Sequence, residues 1–409
     1  MLKKIGINDI RLGMYIHKIG GDWMEHPFWT NSFLLSEQKD LHKLKNSKVK
    51  ELWIDSGKGL DVMKPVTSDR AQPNKQTDQP VLVVTKKIIK IPVEEELQTA
   101  KKIHAKTKEA VTAMFNEVRM GKAVRVEEAV VLVDEINHSM ARNANAMLSL
   151  IRLKTADEYT YLHSVAVCVL MIALGKQLGL QGAALKQVGV AGLLHDIGKM
   201  VIPGKVLNKP GKLTEDEFAI VKNHPRRGWE ILKTVFQVNE PALDVCLHHH
   251  ERMDGKGYPE KLSANNLTLY ARMGSICDVY DAISSERCYK KGWEPAEAIK
   301  KMAEWKGGHF DETVFHAFVK TIGIYPIGTL LKLKSDRLGI VIEQSEKSLV
   351  MPVVKVFFSL HSNCHIPFEI VDLSESTDSV VSAENPQQWG LDLEKIYLIL
   401  HQLRDDKFG

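Results

Sequence analysis

Apolar and polar positions change their period several times along the chain, and each change marks a predicted element. Up to about Val62, short apolar bursts such as Arg11-Leu12-Gly13-Met14-Tyr15-Ile16 and Val49-Lys50-Glu51-Leu52-Trp53-Ile54 stand between Gly, Asp and Asn. This predicts short strands and turns in a small α+β module over residues 1–62. Residues 63–93 are expected to be a linker with room for a strand, because up to Gln79 they are Lys, Pro, Thr, Ser, Asp, Gln and Asn without periodicity. From Glu94 the apolar positions Leu97, Ile103, Val111, Met114, Phe115 and Val118 recur at helical spacing, Gly121 is a stop, and a second run extends from Val126 to Ile151. Two long amphipathic helices are therefore expected in a connector over residues 94–154. Their apolar faces would close on an intramolecular bundle or on a second copy in a homodimer, and the bundle is the expected arrangement. Helical patterning continues through 155–325, with turn signals at Gly179, Pro203-Gly204, Pro210-Gly211, Pro241 and Gly255 to Gly257. In residues 326–409, Thr329 to Leu333, Gly339 to Glu343 and Val353 to Phe358 are β-branched or apolar bursts, followed by a polar stretch and a final helix from Leu391 to Leu403. The predicted class is mainly α, an all-helical domain between a small α+β N-terminal module and a small β-rich C-terminal appendage.

Composition narrows this only by exclusion. At ~150 residues per domain, 409 residues make two or three domains, and 44% hydrophobic with 26% charged residues excludes wholesale disorder. With 55 basic and 51 acidic side chains the net charge is +4, so no nucleic-acid polymer is implied as partner. The longest apolar stretch, Val165 to Leu174, is shorter than the ~20 residues of a membrane span, and none is expected. The N-terminus alternates polar and apolar residues without a continuous hydrophobic run, which predicts a cytoplasmic protein. The five cysteines, Cys168, Cys246, Cys277, Cys288 and Cys364, are scattered without a C-x-x-C pair, so neither a disulfide framework nor a zinc ribbon is expected. One count changes the picture: of 16 histidines, six fall between His163 and His250.

Those histidines come with aspartates in places where charge is costly. His195-Asp196 follows Val190, Ala191, Gly192, Leu193 and Leu194 and precedes Ile197, while Asp278 lies among Met273, Ile276, Val279 and Tyr280. An unpaired carboxylate in such surroundings costs several kcal/mol. Taken singly, each residue has a plainer account: His163 as a core histidine, His224 before Pro225 as a helix-end cap, Lys199 as an exposed lysine at a helix C-terminus. Taken together, buried imidazoles and carboxylates are best reconciled by a cation. Imidazole and carboxylate without thiolate suit Fe, Mn, Ni or Zn, and a carboxylate such as Asp196 can bridge two ions. Two ions ~3.5–4 Å apart would hold a bridging hydroxide in line with a phosphorus, and Lys199 would neutralise the charge that develops.

The motif order then resembles the HD-GYP phosphodiesterases, HD metal-dependent phosphohydrolases that act on bacterial cyclic dinucleotides. The residues that carry the resemblance are His195-Asp196-Ile197-Gly198-Lys199, His224-Pro225-Arg226-Arg227-Gly228, the run His249-His250-Glu251 to Gly257-Tyr258-Pro259, and Asp278-Val279-Tyr280-Asp281-Ala282 leading to Arg287-Cys288-Tyr289-Lys290. It covers roughly residues 155 to 325, and the segment through about Gly121 is similar to a module of unknown function, DUF3391. The resemblance implies His163, His195, Asp196, His224, His249, His250 and Asp278 as metal ligands, with His248 left out. It implies Asp196 and Lys199 as catalytic and Lys199, Arg287 and Lys290 as substrate contacts. The Gly257-Tyr258-Pro259 turn is implied as a contact for a protein partner. Three-metal members carry a glutamate one turn before the first ligand histidine. Here that position is Tyr159, and Glu158 is rotated by about 100° around the helix, so two divalent ions are expected, Fe or Mn first and Ni or Zn after them. Cys288 stands where proline is common in the family. The implied reaction is metal-dependent opening of cyclic di-GMP, or of 3′3′-cyclic GMP-AMP, to a linear dinucleotide and on to mononucleotides. A noncatalytic receptor for the same ligand is the alternative, disfavoured by the complete ligand set.

Overall fold

A computed structural model describes residues 2–19, 33–35, 38–45, 49, 51–60, 89–152, 159–209, 211–235, 238–285, 292–305, 307–345, 347–391, 395–396 and 399–400. The chain divides into two compact units, Met1–Lys86 and Lys87–Gly409.

In the first unit, β1 (Leu2–Gly6), β2 (Tyr15–Ile19), β3 (Phe33–Leu34), helix α1 (Gln38–Lys45) and β4 (Glu51–Asp55) form the expected α+β module, with sheet order β1-β4-β2-β3 and every pairing antiparallel. Period-2 alternation puts Leu52 and Ile54 of β4 inside with Ile5, Ile16 and Leu44. Residues 61–88, most of the expected linker and its strand, lie outside the described residues.

The second unit begins with α2 (Val93–Arg119) and α3 (Val126–Leu150), close to the ranges that the periodicity predicts. They pack on each other and on the helices that follow, which is the bundle arrangement. Buried Glu96 of α2 ties them together, accepting from Ser139 Oγ at 2.6 Å and Arg142 Nη2 at 2.7 Å. Next come α4 (Tyr159–Gln177), α5 (Gly182–Leu194), α6 (Gly204–Leu207), α7 (Glu215–Lys222), α8 (His224–Lys233), α9 (Glu240–His248), α10 (Leu269–Ser284), α11 (Pro295–Glu304) and α12 (Glu312–Ile322). Helix α4 is apolar on every face and occupies the centre of this domain, covered by α2, α3, α5, α10 and α12. Its window Thr160–Gln177 has mean hydropathy 1.3, long and apolar enough to cross a membrane, yet 78% of it is buried inside the fold.

The remainder is a five-stranded antiparallel sheet, β5 (Leu330–Leu333), β6 (Arg337–Glu343), β7 (Val353–Ser359), β8 (Cys364–Asp372) and β9 (Val380–Glu384), in order β8-β7-β6-β5-β9. Leu330 and Ile340 bury one face with Leu391, Ile396 and Ile399, while Leu331, Val341 and Val354 bury the other. The sequence reading found the three inner strands and took β8 and β9 for polar connection. Both are edge strands: β8 is mostly exposed along its length, so it lacks the buried alternation that betrays an inner strand. Residues 395–396 and 399–400 are helical, and the rest of the expected final helix lies outside the described residues.

Two glycines set how closely the helices of the second unit approach. A Cβ on Gly192 of α5 would lie 2.9 Å from the backbone of Cys168 in α4. One on Gly198, in the 3₁₀ turn Ile197–Val201, would lie 2.0 Å from the carbonyl oxygen of His224 and 2.5 Å from the Gly228 nitrogen. Backbone cannot yield as a side-chain tip does. Gly198→Ala is therefore expected to destabilise the helical domain by about 1–3 kcal/mol or more, read as a lower midpoint in thermal unfolding; an unchanged midpoint would mean that the α8 backbone moves freely.

Candidate metal centre

Four helix ends and two helix interiors converge on one buried spot. His163 is on α4, one turn into the central apolar helix. His195 is the residue at which α5 ends, and Asp196 precedes the 3₁₀ turn that carries Lys199. His224 opens α8 with Pro225 behind it, positioned by the Gly198–Gly228 contact. His249 and His250 follow the end of α9, and Asp278 and Asp281 lie three residues apart on α10. His163, His195, Asp196, His224, His249, Asp278 and Asp281 are all buried, and His250 is 22% exposed in its side chain.

Hydrogen bonding fixes the tautomers. Nδ1 of His195 lies 2.8 Å from the Gly192 carbonyl, Nδ1 of His224 2.7 Å from that of Val221, and Nδ1 of His249 2.9 Å from that of Val245. A carbonyl only accepts, so each Nδ1 carries a proton and each ring turns Nε2 inward. The Nε2 atoms of His224 and His249 then face each other at 3.2 Å. Nε2 of His195 and Oδ1 of Asp196 are buried without a hydrogen-bond partner. Ring nitrogens and anionic oxygens buried in this way are costly, and a cation is the partner that satisfies them.

The donors form three overlapping groups. Ligand atoms of His163, His195 and Asp278 lie within 4.8 Å of one another, as do those of His224, His249 and His250, and those of His195, Asp196 and His249 join the two. Asp196 stands between them: Oδ2 is 3.4 Å from Nε2 of His163 and of His195, and Oδ1 is 3.2 Å from Nε2 of His224 and 3.8 Å from that of His249. His163 Nε2 is also 3.0 Å from Asp278 Oδ1. Such separations suit donors each ~2 Å from a shared ion. The residues therefore fit divalent metal ions.

Electrostatics agrees with the ligand chemistry. Burial works against the charge on Asp196, but Lys199, 2.5 Å away, and the neighbouring histidines hold it well below the usual carboxylate range. Asp278 is likewise lowered against burial, first by the hydrogen bond from His163. Burial, reinforced by the neighbouring imidazoles, keeps His249 well below its ordinary value; burial foremost brings His250 to about 3. His163 goes the other way: burial opposes its charge, yet Asp196, Asp278 and Asp281 push it up to about 10.

All seven residues expected as ligands are thus brought together, and Lys199 lies beside them. His248 turns away, pairing with Asp244 at 2.8 Å and Glu260 at 3.3 Å. Arg287, Cys288 and Lys290 lie outside the described residues; Tyr159 opens α4, but its side chain, like Glu158, is outside them too. Asp281 and Glu251, to which the sequence motifs assign no role, belong to the site's frame, as does Tyr258 of the turn expected to meet a partner. Asp281 Oδ2 accepts from His163 Nδ1 at 2.7 Å; its signal was the spacing Asp278-x-x-Asp281 on one face of an apolar helix. Buried Glu251 accepts from the backbone N–H groups of Glu260, Lys261 and Leu262, so it organises the Gly-Tyr-Pro turn together with Asp254, which accepts from Lys256. Tyr258 stacks on His250 with ring centroids 4.7 Å apart.

The model of a domain of unknown function (DUF3391) matches residues 2–129 and that of an HD domain matches residues 132–314. A cyclic di-GMP phosphodiesterase of Pseudomonas aeruginosa is 51% identical over 396 residues, 95% of this chain and 94% of the relative. The chain belongs to the HD-GYP phosphodiesterases. As a member it is a metal-dependent hydrolase of phosphodiester bonds. A response regulator of Xanthomonas campestris, named as a cyclic di-GMP phosphodiesterase, is 40% identical over 36% of this chain and 39% of its own. A 3′3′-cGAMP-specific phosphodiesterase of Vibrio cholerae is 36% identical over 32% of this chain and 26% of its own.

Two outcomes are expected for this HD-GYP centre. Metal must displace the proton of His163, which is bound between the ordinary value of 6.5 and about 10, so apparent metal affinity should rise with pH across that window; a flat profile in metal titrations would argue against a protonated His163. Asp281→Asn replaces the carboxylate behind His163 and should weaken metal retention against a chelator about 10–100-fold, with helix content by circular dichroism unchanged.

Proposed function

We propose that this HD-GYP enzyme hydrolyses cyclic di-GMP to a linear dinucleotide, and on to mononucleotides, with two metal ions that Asp196 and the histidines around it would hold. The observation that carries the reading is the division of one carboxylate between two histidine-rich groups, Oδ2 toward His163 and His195 and Oδ1 toward His224 and His249. His163, His195 and Asp278 would hold one ion, and His224, His249 and His250 the other. A donor set of imidazoles and carboxylates without thiolate favours Fe or Mn, with Ni and Zn compatible. When bound, such ions supply Lewis acidity at a phosphoryl oxygen and a water of lowered pKa.

The chain's own residues do the rest. Lys199, with a side chain 20% exposed above Asp196, sets a cation at the mouth of the centre, where a substrate phosphate is neutralised and from which Nζ can pass a proton to the leaving 3′-oxygen. Arg287 and Lys290 are proposed as further phosphate or base contacts. Tyr258, stacked on His250, walls one side and limits water. Catalysis is assigned to residues 155–325, with residues 1–62 and 326–409 as appended modules joined by the linker 63–93 and the connector 94–154. Cyclic di-GMP is preferred to 3′3′-cyclic GMP-AMP because the relative that matches nearly the whole chain bears that name. Beside the Gly-Tyr-Pro turn, Val201, Phe218 and Ile220 expose apolar surface, which supports the turn as a contact for a protein partner. Free thiols at Cys168, Cys246, Cys277 and Cys364 support a reducing, cytoplasmic setting.

The test is metal quantification on anaerobically purified chain together with product analysis on both dinucleotides. About two ions per chain and faster turnover of cyclic di-GMP are expected; three ions would overturn the two-metal assignment, and binding without product would return the receptor reading. Asp196→Ala should lose both metal and hydrolysis, about 10³-fold or more in rate, and full activity in that variant would sink the mechanism.

A further inference from the structure

Behind the metal centre, where the C-terminal sheet meets the helical domain, lies a cavity of about 690 Å³. It is bounded by the ends of α3 and α10, the start of α11, Asn385 to Gln387, Gly390, Leu391, Ile396 and Leu400. That size is in the range of pockets that enclose small organic ligands. It is separate from the catalytic mouth, for Asp281, which lines it, contacts His163 at Nδ1, whereas Nε2 on the far edge of the ring faces Asp196 and Asp278.

Among the described residues that line the cavity, the cation is Arg152. Its one hydrogen bond among the described residues runs from Nη1 to the Pro326 carbonyl at 3.3 Å, and no carboxylate there lies within 4 Å of it. Glu294 lines the same cavity at longer range. Desolvation lowers the Arg152 pKa, with Tyr280 and Glu294 opposing. A guanidinium held in the fold with most of its five donors unspent is an anion site, and its planar fork matches phosphate. Trp293 offers an aromatic ring in the same cavity, and Ser284 and Gln387 offer polar groups.

We propose that this cavity is a second ligand site, for a nucleoside monophosphate, with the phosphate on Arg152 and the base against Trp293. The site needs neither the metal ions nor Asp196. The experiment titrates GMP and inorganic phosphate into the full chain by calorimetry, using protein stripped of metal by chelator and, separately, the Asp196→Ala variant, so that metal-dependent binding at the catalytic centre is removed. Saturable GMP binding in both preparations is expected, with phosphate weaker. Arg152→Gln should weaken GMP at least about tenfold, and Ser284→Phe, which puts a ring into the cavity and leaves Arg152 in place, should weaken it by at least as much; this second variant decides the matter if Arg152→Gln does not fold. No binding to the metal-free chain, unchanged affinity in Ser284→Phe, or phosphate binding as tightly as GMP would overturn the proposal. Because the preparations lack catalytic metal, the outcome is independent of whether the chain hydrolyses cyclic di-GMP.

Discussion

The structure of the catalytic unit depends on one electrostatic constraint: buried carboxylates and inward-facing imidazole nitrogens share a space too small for them to tolerate one another uncompensated. Asp196 is fully buried, and the Nε2 atoms of His224 and His249 face each other across 3.2 Å. An apolar interior penalises each of these groups, and only positive charge turns the cluster from a liability into a binding site. Lys199 provides part of that charge and metal ions the remainder.

Meeting the constraint requires rigid presentation, and the helical domain supplies it through helix ends. Three histidines spend Nδ1 on carbonyls of the turn just before them, which orients the rings without any side-chain partner. The fourth, His163, lies inside a helix where carbonyls are already bonded, and a carboxylate from α10 takes that role. Gly198 and Gly228 let the turn bearing Lys199 lie directly on the start of α8, so that His195, Asp196 and His224 reach one another. The same glycine that reads in sequence as part of a motif is, physically, the absence of a methyl group between two backbones.

Most of the architecture was legible where a segment buries a regular face. Helices α2 and α3, the apolar α4 and the inner strands β5 to β7 all carry the period of their own geometry. Strands β8 and β9 were not legible, because an edge strand with both faces partly solvated needs no alternation. The residues gathered at the centre were legible through an improbability, charged and polar side chains embedded in apolar runs, joined with their motif order. Glu251 was not, since its work is to accept three N–H groups from a turn nine to eleven residues away, a role no local pattern encodes.

By itself the sequence determined which residue types would be buried together, the helical class of the domain that holds them, and the family to which their order belongs, because hydrophobic period and local spacing are properties of neighbours along the chain. Only the tertiary structure decided that Asp196 lies between two groups of histidines, that Asp281 stands behind His163, and that Arg152 faces a cavity of its own. Those facts are distances between elements far apart in sequence, set by how closely helices without side chains at their crossings can approach.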